Sequence, residues 1–167
     1  MATLEERNAG MEKVSKLIND IRVGMLTTQD EQGNLVSRPM AVMQVDENGD
    51  LWFLTKENSP KTDQISKNYK VNVAFANAPD ASYVSVSGTA EELQDRAKVE
   101  ELWSPMAKPW FPDGKDDPSL SILKVHTETA EYWDSTSSRM IRLFEMARAA
   151  LTGDTYREGE NKVVENR

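Results

Sequence analysis

The sequence predicts a mainly β protein with flanking helices, built as a small antiparallel barrel or sandwich. Two observations carry this expectation: seven short strand-like runs follow one another at close spacing, and turn residues separate the first of them. The 167 residues fit one domain, and a chain of about 150 residues buries roughly 68 to 70% of its unfolded surface, enough for a real core. No repeat or linker divides the chain. Residues 1–153 are therefore expected to form a single domain, and the polar remainder, 154–167, a disordered tail.

The elements follow in order. Thr3 with Glu6 three residues later has the capping-box form, and Met11, Val14, Ile18 and Ile21 then recur at helical spacing. This predicts an amphipathic first helix that serves as a packing element or lid. From Val23 the period changes, and strand-like runs occupy 23–28, 35–45, 51–55, 71–77 and 82–90. Gly33 and the Asn48-Gly49 pair mark tight turns, so the first three runs read as an antiparallel meander. Ser59 is a good N-cap and Pro60 suits the first helical position, which starts a short helix between the third and fourth runs. A further helix is expected over 95–103. Pro105, Pro109, Pro112 and Pro118 then enforce a long irregular loop, and its Met106, Trp110 and Phe111 argue for packing against something. Strand-like alternation resumes at 120–126 and 129–133. A last amphipathic helix, with Met140, Phe144, Ala147 and Leu151 on one face, should end near Gly153.

Composition excludes several functions. With no Cys, thiolate metal centres, disulfide exchange and thiol nucleophiles are impossible, and no metal site is expected. The net charge of −8 argues against nucleic-acid binding, which needs a basic face. No apolar run approaches the roughly 18 residues of a membrane span, and the N-terminus lacks a signal-peptide pattern, so a cytoplasmic protein is expected.

The single histidine, His126, lies in an alternating run without a nucleophile motif such as Gly-x-Ser-x-Gly, and reads as a structural strand residue. Adjacent carboxylates such as Glu91-Glu92 and Glu100-Glu101 do not converge on one reacting atom and read as solvated surface. One cradle stands out. Hairpin pairing sets the second and third strands side by side, so Arg38 could reach an anion held by Thr55, Ser59, Lys61 and the free N–H groups of the short helix. Ordinary helix capping and a solvated strand arginine account for the same residues. The aromatics divide similarly: Trp52, Trp103, Trp133, Phe53, Phe75 and Phe111 suit core packing, whereas Trp110 in the Pro-rich loop suits covering a ligand or partner.

Several segments, in order and spacing, resemble the FMN-binding split-barrel proteins related to pyridoxamine 5′-phosphate oxidase, in their general stress protein branch. They are Gly24-Met25-Leu26-Thr27-Thr28, Ser37-Arg38-Pro39-Met40, Leu51-Trp52-Phe53-Leu54-Thr55, Ser59-Pro60-Lys61, the loop from Trp110 to Pro118, and Ala130-Glu131-Tyr132-Trp133-Asp134. The resemblance implies an antiparallel six- to seven-stranded split β-barrel that dimerises, with flavin (FMN, FAD being possible) in clefts at the subunit interface. It makes Arg38 and Lys61 the phosphate cations and Thr55 and Ser59 hydroxyl donors to the same phosphate. It places Met40 and Leu54 along the isoalloxazine and Trp110 over the ring, and counts Pro39 among the cofactor-binding residues.

The sequence departs from the oxidase pattern Arg-x-Val-Leu-Leu-Lys, reading Arg38-Pro39-Met40-Ala41-Val42-Met43, and lacks the C-terminal Arg-and-His segment that grips pyridoxal phosphate. Vitamin B6 oxidation is accordingly not expected. The expected function is a flavin-binding stress protein with flavin-dependent oxidoreductase capacity towards an unknown small molecule. Flavin storage or redox sensing without turnover is the alternative. A deazaflavin or haem is a third reading, with His126 a poor prospect as haem ligand.

Overall fold

The computed structural model describes residues 3–135 and 160–166. Helix α1 (Leu4–Ile21) opens on the expected capping box: the Glu6 amide donates to Thr3 Oγ1, and the Thr3 amide to the Glu6 carboxylate. Strands β1 (Val23–Gln29), β2 (Leu35–Val45) and β3 (Leu51–Lys56) form the meander, helix α2 (Pro60–Lys67) follows, and β4 (Lys70–Asn77) and β5 (Ser82–Leu93) form the next hairpin. Helix α3 (Arg96–Leu102) is capped by Asp95, whose carboxylate accepts from the Lys98 amide. Gly33 and Gly49 both adopt positive φ in the two hairpin turns, a conformation that costs an ordinary side chain more than it costs glycine.

All pairings are antiparallel in the order β3-β2-β1-β4-β5-β6-β7, and an added β3–β6 pairing closes the first six strands into a barrel. Its interior is filled by alternate residues, among them Leu26, Phe53, Val73, Phe75, Val84, Val86 and Val125, with Val14, Leu17 and Ile18 of α1 and Ile65 of α2 packed against them. Burying each large side chain contributes about 1.5–3 kcal/mol. A second apolar cluster lies on the outer face of β3 and β6. There Leu54 and Ile122 meet Val99 and Leu102 of α3 together with Ala107 and Phe111 of the Pro-rich loop. That face explains why the loop, long as it is, holds a defined course.

Two expectations change. The runs 120–126 and 129–133 are one strand, β6 (Leu120–Asp134). Ser87 faces Thr129 but Gly88 faces Thr127, so Glu128 is an extra residue in β6, and this bulge shifts the inward phase from 123, 125 and 127 to 130 and 132. The sequence alternation breaks there although the strand does not. Glycine is required opposite the bulge, because a Cβ at Gly88 would lie 1.9 Å from the His126 carbonyl oxygen. In the tail, read as disordered, residues Glu160–Glu165 form β7 on β6, and Val164 is buried against Gly10 of α1. The expected helix over Met140, Phe144, Ala147 and Leu151 lies outside the described residues.

Candidate functional site

β1, β2 and α2 bring the predicted cations together. Arg38 faces Leu26 across the β1–β2 ladder, so its side chain shares the inward face and runs toward α2. Its guanidinium donates to Thr28 Oγ1 at 2.6 Å and to Gln64 Oε1 of α2 at 3.1 Å, while the Thr28 hydroxyl donates to the same Gln64 oxygen at 2.6 Å. A longer bond runs to the Leu26 carbonyl at 3.4 Å, so Arg38 is held by three neutral acceptors, and no carboxylate lies in ion-pair contact with it among the described residues. Thr28 and Gln64 were not singled out from the sequence. The signal was there: Thr28 sits two positions from the Arg38 cross-strand partner, and Gln64 is one helical turn beyond Lys61.

Lys61 occupies the first turn of α2. Its ammonium donates to Ser59 Oγ at 3.2 Å, and Thr62 Oγ1 donates to the Ser59 carbonyl at 2.9 Å. Ser59 has the extended backbone of an N-cap, yet its side chain makes no capping bond to the helix backbone. The N-terminal N–H groups of α2 therefore keep their donors. Burial lowers the Lys61 pKa, the Arg38 charge lowers it further, and Glu92 partly offsets both. Burial likewise lowers that of Arg38. Two partly desolvated cations that repel each other, without an ion-paired carboxylate, make a locus that favours an anion.

Thr55 completes the arrangement. It lies on β3 four residues before Ser59 and is 2% exposed, and its hydroxyl is buried without a hydrogen-bond partner. An unsatisfied buried hydroxyl costs about 1–3 kcal/mol, and an oxygen-rich ligand would remove that cost. Arg38, Lys61, Ser59, Thr55 and the start of α2 have the donor set a phosphate requires: two cations, two hydroxyls and backbone amides.

The remaining predicted residues are placed differently. Leu54 alternates with Thr55 and sends its side chain outward into the second cluster. Met40 is partly buried against the barrel core, and Pro39 faces Met25 on the outer surface of the sheet. Trp110 is 65% exposed, while Phe111 is the loop aromatic that packs inward and meets Trp103 at 6.4 Å between ring centroids. Met43, at the end of the motif where the oxidases carry lysine, is the extra residue of a β2 bulge between Val42 and Gln44, and packs against the second cluster. The place of that cation is taken by a hydrophobic contact. His126 lies apart from the cradle, its Nδ1 3.0 Å from Asp50 and its Nε2 2.8 Å from Glu91. Asp50 also accepts from the Thr127 amide and pairs with Lys124 at 3.2 Å, which ties the β2–β3 turn to β6.

A six-stranded closed antiparallel barrel with flanking helices is the split-barrel architecture. The chain belongs to the pyridoxamine 5′-phosphate oxidase-like family, whose model it matches over residues 9–157. Protein bli-3 of Neurospora crassa is 33% identical over 150 residues, covering 84% of this chain and 72% of the relative. Among solved structures, a candidate general stress protein 26 from Jannaschia sp. CCS1 superposes with a TM-score of 0.75 at 28% identity, covering 94% of this chain and 98% of the other. The general stress FMN/FAD binding protein of Xanthomonas citri gives 0.64 at 31% identity, over 77% and 90% of the two chains. No helix among the described residues is long and apolar enough to cross a membrane.

Proposed function

We propose that this chain is a cytoplasmic flavin-binding protein of the general stress type that grips the cofactor by its phosphate. The observation that carries this reading is the Arg38–Lys61 pair, which has no ion-paired carboxylate among the described residues; Arg38 reaches over from β2, and Lys61 lies in the first turn of α2, a few residues after Thr55 with its orphaned hydroxyl. The family match and the flavin named for the Xanthomonas citri relative support flavin as the ligand. When bound, flavin supplies electron or hydride transfer by its own ring chemistry. The protein's share is to hold: Arg38 and Lys61 neutralise phosphate oxygens, Thr55 and Ser59 donate hydroxyl protons, and Thr28 with Gln64 fix the Arg38 guanidinium. Oxidoreductase turnover of a small molecule is the proposed use, with FMN or FAD the proposed flavin.

The proposed assembly is a homodimer. The outward face of β1, β2, β4 and β5 carries Met25 between Pro39 and Ala74, with Ser85 beyond Ala74, a row of small or apolar side chains without a charge. Met25 is 43% exposed and Val23 48% exposed on the same face. Such a surface suits coverage by a second copy.

The test is titration of purified protein with FMN, FAD and riboflavin, followed by flavin absorbance and gel filtration. Retention of FMN near one per chain, lost in Arg38→Ala/Lys61→Ala while the protein stays folded, supports the assignment. Undiminished affinity in that double variant refutes it. Turnover with NAD(P)H above the free-flavin background separates catalysis from storage.

A further inference from the structure

We propose that Glu92 is a specificity-determining residue of the phosphate cradle: its carboxylate offsets one of the two cationic charges and biases the cradle toward a singly charged phosphate group over a dianionic one. This rests on the phosphate reading above. Glu92 follows the inward phase of β5, two residues after the buried Ala90, and with Thr62, Ile65, Ser66, Ala90 and Glu91 it lines a cavity of about 230 Å3 between α2 and β5. Thr62 on that cavity wall is the residue directly after Lys61. One carboxylate oxygen of Glu92 is buried and has no hydrogen-bond partner among the described residues.

A buried carboxylate oxygen left without a donor is costly unless a cation or proton serves it. The nearby cation is Lys61, whose ammonium is stabilised by the field of Glu92 and destabilised by that of Arg38. The Lys61 ammonium therefore feels the field of Glu92 as well as that of whatever anion occupies the cradle. Arg38 and Lys61 together contribute two positive charges, and Glu92 reduces the sum to one. A phosphate monoester above its second pKa of about 6 carries nearly two negative charges, whereas each phosphate of a pyrophosphate diester carries one. The carboxylate penalises the first more than the second, so it decides how far the cradle discriminates between the monoester of FMN and the pyrophosphate of FAD.

The experiment compares wild type with Glu92→Gln at pH 8, using inorganic phosphate, FMN, FAD and riboflavin as probes. The variant is expected to bind inorganic phosphate and FMN about five- to tenfold more tightly and FAD less than about threefold more tightly, with riboflavin unchanged. Equal phosphate and FMN affinities in the two proteins overturn the proposal, as does an equal gain for riboflavin, which would mark a change of shape instead of charge. If phosphate distinguishes the two proteins while neither binds any flavin, the Glu92 assignment stands and the flavin reading falls. If flavins bind both proteins equally, the reverse holds. Absence of both phosphate and flavin binding in the two proteins overturns both. Glu92→Met is a second uncharged variant of similar length, and failure of both variants to fold would make Glu92 a structural residue and refute the inference.

Discussion

Replacing Lys61 by glutamine should weaken ligand binding and stabilise the empty protein at the same time. Ordinary damage to a site lowers both. In the empty protein Lys61 is desolvated and lies within the repulsive field of Arg38, which together outweigh the attraction of Glu92, and its hydrogen bond to the protein is a 3.2 Å bond to Ser59 Oγ. Its depressed pKa means the unfolded chain holds the proton more tightly. Stability therefore rises with pH as pH climbs from the folded value of Lys61 toward its ordinary 10.5, and at neutral pH the full penalty is present. Lys61→Gln removes that penalty and retains a donor for Ser59, so the melting temperature of the empty protein at pH 7 should rise or hold, and the alkaline rise should flatten. In the complex the same ammonium makes a charge-assisted bond of about 1.5–3 kcal/mol, so FMN affinity should fall by roughly 10- to 150-fold. Differential scanning fluorimetry from pH 7 to 10.5, paired with fluorescence titration of FMN, reads both signs. A drop in the stability of the empty protein together with unchanged FMN affinity would show that Lys61 serves the fold, and the cradle argument would fail.

Other outcomes are expected from the same geometry. Gly88→Ala should destabilise by about 2–4 kcal/mol or prevent folding, because its Cβ would meet the His126 carbonyl oxygen at 1.9 Å and the bulge cannot move without shifting β6; thermal unfolding checks this. Phe111→Ala should cost about 3–5 kcal/mol by chemical denaturation, since Phe111 anchors the Pro-rich loop in the second cluster, whereas Trp110→Ala, 65% exposed, should leave the stability of the empty monomer within about 0.5 kcal/mol. Burial raises the Asp134 carboxyl, but its bonds to Lys13 of α1 and Ser82 hold it below the ordinary 3.8. The stability it adds is present above that value and is lost as pH falls through the depressed one, so Lys13→Met should flatten the acid limb of a pH–stability profile. Met25→Lys on the outward sheet face should shift sedimentation from dimer to monomer and weaken flavin retention with it; a dimer that survives this change would place the interface elsewhere.

Strand alternation, the glycine turns, the capping box and the Ser59-Pro60 helix start are local signals, and each is set by backbone sterics and hydrogen bonding over a few residues. They suffice for β1 to β5 and for the three described α-helices. The sequence could not join 120–126 to 129–133, because the bulge at Glu128 is defined by its partner strand and by the space above Gly88. Nor could it reveal β7: six residues with several charges carry little intrinsic strand signal, and they become a strand by pairing with an open edge of β6 and burying Val164 on Gly10. The same holds at the site. Arg38, Lys61, Thr55 and Ser59 are the residues that the sequence offers, by type and spacing, for the proposed cradle. That Arg38 is held by neutral Thr28 and Gln64, that Thr55 is left without a partner, and that Glu92 shares a cavity wall with the residue after Lys61 depend on closure of the barrel. Closure brings β1, β3, β5 and α2 to one end, and residues up to 64 positions apart in sequence, from Thr28 to Glu92, then act within one electrostatic neighbourhood.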